Sequence, residues 1–140
     1  MKGKKIKKGF TLIELMVVIF ILTFSLLAVL VIFPIGMKIA RNSQTKTLGI
    51  QLSQDKMERL ISKPYNDSQL NIGTTTENYG TISEFDYFKR VTRINYYNPA
   101  DFQEINTDLG IKKIEVEIFW RSPFKNTEEK INIKSFVSKK

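Results

Sequence analysis

Carboxylates are the only side chains in this 140-residue sequence whose types and spacing suggest chemistry, because it contains neither histidine nor cysteine. That absence removes the commonest general base, the thiol nucleophile and the usual transition-metal ligands, and it excludes disulfides. Three sets of carboxylates remain. Glu115 and Glu117 have the separation of an acid-base pair, but they alternate with Ile114, Val116, Ile118 and Trp120, a period that turns them to the solvated face of a strand. Asp101, Glu104 and Asp108 fall in the polar 98–110 stretch and offer oxygen ligands for calcium, without the ordered spacing of a calcium loop. No glycine-rich phosphate loop is present, so neither an enzyme nor a resident metal or other cofactor is expected. The third set is Glu14 alone.

Glu14 is the one ionisable side chain in residues 10–33, FTLIELMVVIFILTFSLLAVLVIF. A helix of that length rises about 36 Å, enough to cross a hydrocarbon layer of about 30 Å with some tilt. A carboxylate inside such a span costs a few kcal/mol and calls for a partner or a purpose. One purpose is local: Thr11 and Glu14 form the T-x-x-E pattern of a capping box, which satisfies free backbone donors at a helix start. Another is charge pairing with a neighbour. Lys2, Lys4, Lys5, Lys7 and Lys8 precede the span, and no comparable block follows it, so the N-terminus is expected on the cytoplasmic side. A secretory signal would be shorter and end at a small-residue cleavage site, which AVLVIFPIGM at residues 28–37 does not offer. A lipoprotein signal would need a cysteine. An uncleaved single-pass anchor explains the span but not Glu14.

The run Lys7-Lys8-Gly9-Phe10-Thr11-Leu12-Ile13-Glu14-Leu15 resembles the prepilin signature shared by type IV pilins and type II secretion pseudopilins. The resemblance implies a leader, residues 1–9, removed by a membrane-embedded prepilin peptidase between Gly9 and Phe10. It implies N-methylation of Phe10, and docking of Glu14 onto the amino terminus of a neighbouring subunit. The partners it implies are the peptidase, other pilins or pseudopilins, an inner-membrane assembly platform and membrane lipid. The fold it implies is α+β, a long N-terminal helix on a small antiparallel sheet. Lys56-Met57-Glu58-Arg59-Leu60 and the strand carrying Trp120 look most like minor pilins of the pilus-modification type or minor pseudopilins.

The elements needed to position these groups are legible independently. Pro34 lacks the amide that would bond the Leu30 carbonyl and Gly36 follows, so a kink is expected there, beyond a transmembrane or filament-core segment at 10–33. Ile39, Ile50, Met57 and Ile61 fall on one stripe at 3.6 residues per turn, which predicts an amphipathic continuation over 34–63, ending before Pro64. Asp55 and Arg59 have the spacing of an i, i+4 pair. Residues 64–140 are then a small β-rich domain: a polar, turn-rich stretch at 65–80, a strand within 84–97 of uncertain register, the alternating strand at 114–121, and a partner at 131–137 reached through a loop at 122–129.

The formal charge of +8 raises nucleic acid as a partner. Lys112, Lys113, Arg121, Lys125, Lys130 and Lys134, interleaved with Phe119, Phe124 and Phe136, would supply a basic and aromatic face, as in a DNA-uptake pilus. Against this, 22 basic residues less the five of the leader leaves 17, facing 14 acidic ones, a formal +3. That is an ordinary surface balance.

Overall fold

The computed structural model describes residues 9–122 and 127–139. The chain divides into two compact units, Met1–Ala40 and Arg41–Lys140. A single α-helix, α1 (Leu12–Ile61), belongs to both. It begins where Thr11 accepts the Glu14 amide through its side-chain oxygen at 3.2 Å and the Leu15 amide through its carbonyl at 3.2 Å. It ends as Lys63 N–H tightens onto the Leu60 carbonyl at 3.1 Å, one residue before Pro64. Asp55 and Arg59 form the expected pair at 3.1 Å. Pro34 and Gly36 lie inside the helix, which is one element throughout and does not end at Phe33.

In the first unit every described residue is exposed. The two hydroxyls of the apolar run satisfy themselves on the helix: Thr23 donates to the Ile19 carbonyl and Ser25 to that of Ile21, each at 2.8 Å. Such back-bonding leaves no donor looking for water in an apolar surrounding.

In the second unit the helix lies on an antiparallel sheet. Its strands are β1 (Gly73–Glu77), β2 (Phe88–Asn98), β3 (Gln103–Ile105), β4 (Ile111–Arg121) and β5 (Glu128–Ser138). The order is β1-β2-β4-β5, with β3 paired to the far end of β2. Register places Phe88 opposite Trp120 and Ile118 opposite Ile131, so alternate residues of the three long strands share the face under α1. There Phe88, Ile94, Ile114, Val116, Ile118 and Trp120 form one core with Met57 and Leu60 of the helix and Leu70 and Ile82 of the connections. Phe88 and Trp120 meet edge to face, centroids 6.1 Å apart.

The helix turns a different stripe to this core than its isoleucines indicate. Gly49, Ser53, Met57 and Leu60 are buried, whereas Ile39, Ile50 and Ile61 are exposed. Of the expected stripe only Met57 holds. The cause is close approach. A β-carbon on Gly49 would lie 3.5 Å from both Phe88 and Trp120, and Ser53 buries its hydroxyl by donating to the Ile50 carbonyl at 2.8 Å. Small residues, invisible to an apolar pattern, mark the contact.

Two strands lie where the sequence reads as loop. β1 is Gly-Thr-Thr-Thr-Glu, an almost wholly exposed edge with no apolar alternation to announce it, and β3 is three residues long. β2 also mixes its faces, because Arg90 and Thr92 turn inward. Arg90 is accommodated by a double hydrogen bond to Glu77, both contacts 2.6 Å, and Thr92 sits opposite Val116.

Candidate functional site

The start of α1 fixes the geometry around Glu14. Thr11 caps the first turn, and Glu14 stands in that turn. Among the described residues the Glu14 carboxylate has no partner, so only the Thr11 half of the capping box is formed. Phe10, beside it, is 83% exposed. A β-carbon at Gly9 would meet nothing within 4 Å, and the same holds at Gly36. The fold thus makes no demand for glycine at position 9. Any requirement there comes from outside the molecule.

From Phe10 to Ile39 the large apolar side chains point outward, and none of the most apolar stretch of the helix is buried within the chain. A contiguous apolar surface of this size needs lipid or another protein to cover it. By length and composition the helix is able to cross a membrane.

The other candidate residues are dispersed. Asp101 accepts from Asn98 at 2.6 Å, Glu104 from Asn95 and Lys113 at 2.6 Å each, and Asp108 from the Tyr65 hydroxyl and, at 2.8 Å, from the Gly110 amide. The three carboxylates of the 98–110 stretch therefore serve three separate contacts, and no cluster of metal-binding residues occurs among the described residues. Tyr65 and Asp108 perturb each other. Burial, then the Asp108 contact, pushes the phenol upward, and the phenol with the Gly110 amide holds the carboxyl down.

Glu115 and Glu117 do face away from the core, but they are not solvated as expected. Glu117 is buried, with Arg93 at 2.5 Å and Lys130 at 3.0 Å, and Glu115 is bonded by Asn132 with Lys134 at 3.4 Å. Burial alone would raise both carboxyls, and these cations and amides more than offset it, so both end lowered. Each carboxylate is held as an acceptor between donors, which is the opposite of a proton-shuttling pair.

The same contacts dismantle the basic face. Lys112 turns to the helix side, where its ammonium donates to the carbonyls of Tyr65 and Leu70, both at 2.9 Å, and sits 4.3 Å from the Tyr65 ring centroid. Lys113, Lys130 and Lys134 are paired with Glu104, Glu117 and Glu115. Arg121 rests over Tyr79, Phe119 lies beneath Lys89 and Lys130, and Phe136 packs on Tyr97. Phe124 and Lys125, like Lys2, Lys4, Lys5, Lys7 and Lys8, lie outside the described residues. Sequence alone does not point to Lys89 and Arg93, which only the register of β2 on β4 brings to this face, or to Tyr79, which reaches it from the connection after β1 by bonding Glu128.

Residues 4–32 match the family model for the prokaryotic N-terminal methylation motif. The chain matches no curated protein and no solved structure. The match covers about a fifth of the chain, and with the long helix on an antiparallel sheet it indicates a type IV pilin-like protein with a prepilin-type motif. Proteins of this kind are structural subunits, not enzymes. The apolar helix and the motif together fit a prepilin of the inner membrane that passes into a pilus.

Proposed function

We propose that this protein is a minor subunit or initiator of a type IV pilus or type II secretion pseudopilus. The prepilin peptidase cuts it between Gly9 and Phe10 and methylates the new amine on Phe10. Until then it sits in the inner membrane with its N-terminus cytoplasmic and its second unit outside. The observation that carries the reading is the Glu14 carboxylate, without a partner among the described residues, at the head of an uncovered apolar helix. In a low-dielectric surrounding, a lone carboxylate is costly and a paired one is not, so docking onto a neighbour's amino terminus rewards addition in the correct register. Pro34 and Gly36, where one helical hydrogen bond is missing and no side chain braces the turn, serve as the point at which α1 bends during transfer.

Mass spectrometry of sheared surface filaments tests the proposal. A peptide beginning with methylated Phe10, recovered at a small fraction of the major subunit, is the expected result. An intact leader in all recovered protein would make the chain an uncleaved anchor instead. DNA uptake gains no support from the sheet, because its lysines are largely matched by carboxylates.

A further inference from the structure

The sheet has two edges of different make. On one side β5 pairs with β4 in unbroken register over all 11 of its residues, and among the described residues no strand meets its far edge. It contains neither proline nor glycine. Sheets commonly guard so long an edge with a proline, a bulge or outward lysines. Here the lysines are drawn back onto β4, Lys130 to Glu117 at 3.0 Å and Lys134 to Glu115 at 3.4 Å. On the other side two strands lie in line. Tyr96 pairs with Lys112 of β4 and with Ile105 of β3, so β3 flanks β2 opposite β4, on the side that β1 also occupies. Among the described residues no strand beyond β2 engages either of them.

Strand direction relates the two edges. β1 is antiparallel to β2, β2 to β4 and β4 to β5, and these reversals leave β1 antiparallel to β5. A second copy set beside the first in the same sense therefore brings its β1 against β5 in the direction that continues the antiparallel ladder. That sense is imposed on every copy whose apolar run crosses one membrane from the same side. Followed across the sheet, the registers put Thr76 level with Asn132 and Thr74 level with Lys134, all four exposed.

Charge agrees with this pairing. Residues 73–77 and 103–105 hold Glu77 and Glu104 and no basic residue, whereas residues 130–139 hold Lys130, Lys134 and Lys139 and no acidic one. Glu128 and Glu129 fall past the level of Glu77, where β1 ends. Glu77 and Glu104 already have Arg90 and Lys113 as partners, so charge selects which edges meet while the backbone supplies the adhesion.

We propose that a second copy of this chain docks by the edge formed by β1 and β3 onto β5, so that neighbouring subunits share one antiparallel sheet. The inference rests on the membrane reading of the apolar run. The contact is heterologous, leaving each end of a row open to a further copy.

The chain has no cysteine, so linkable pairs can be introduced cleanly. Full chain carrying Thr76→Cys is mixed in lipid vesicles with full chain carrying Lys130→Cys, Asn132→Cys or Lys134→Cys and joined with a short bis-maleimide, the three positions covering a stagger between copies. At one of them the mixed dimer should exceed either homodimer about fivefold, and the double variant should give a ladder of trimers and longer rows. Mixed dimers no more abundant than homodimers at all three positions would overturn the proposal. So would a dominant Asn132→Cys homodimer, which would assign β5 to pairing with itself. Alkaline wash separates the two readings: chain released from the vesicles removes the membrane reading and this inference with it, whereas chain retained without mixed dimers removes this inference alone.

Discussion

At Gly9 the molecule itself is indifferent to a side chain, which separates folding from processing. Gly9→Leu should leave the helix and sheet unchanged by circular dichroism while the full-length precursor accumulates, read as intact mass; normal trimming of that variant would place the cleavage site elsewhere. Glu14→Leu should do the reverse, with the leader still removed and the subunit reduced in sheared filaments. Undiminished incorporation would end the docking role. The signature behind both expectations is dense and local, and so was legible. Lys112 was not, since a lysine among alternating strand residues reads as surface, and only the fold shows two carbonyls waiting for its ammonium. Lys112→Met should cost about 2 kcal/mol, because the Tyr65 and Leu70 carbonyls lose a charged donor. An unchanged denaturation midpoint would show that water replaces it.

Among the elements, α1 and the alternating strand β4 declared themselves by period, while β1 and β3 lacked any apolar period to read. The helix face was misread for a subtler reason. A search for large apolar residues selects Ile50 and Ile61, whereas the contact is made by Gly49 and Ser53, whose smallness lets the helix backbone come down on Phe88 and Trp120. The same distances give a graded expectation. A methyl at position 49 would sit 3.5 to 3.6 Å from its neighbours, ordinary contact, and would replace a poor helix former. Gly49→Ala should therefore stabilise the second unit by up to about 1 kcal/mol, and Gly49→Leu should destabilise it by about 1 to 3 kcal/mol through overpacking. Thermal melts of the two variants decide it, and a loss for alanine comparable to that for leucine would mean that no gap exists over Phe88 and Trp120.

For the molecule as a whole, net charge misleads until it is divided. The first nine residues carry five of the basic residues, and most of those on the sheet are committed to carboxylates. That commitment predicts how the second unit responds to acid. Glu77 is held low by Arg90, Glu104 by Lys113 and Glu128 by Tyr79, while Glu115 and Glu117 are lowered despite burial by their amide and cationic partners. A carboxyl whose folded value lies below its unfolded one contributes stability that is complete above the ordinary value of 4.5 and is lost as pH falls through the depressed folded value. With no histidine in the chain, no side chain of ordinary pKa changes charge between pH 5 and 8. Urea midpoints of the full chain in detergent should accordingly be flat from pH 8 to about 5 and then fall steeply below about 4.5. Molar salt should lower the neutral-pH midpoint only slightly, since the Glu117–Arg93 and Arg90–Glu77 pairs each have one buried partner. A midpoint that climbs on acidification below 4.5 would mean that the grid of carboxylates on β4 is paid for elsewhere in the fold and that its ion pairs do not stabilise the sheet.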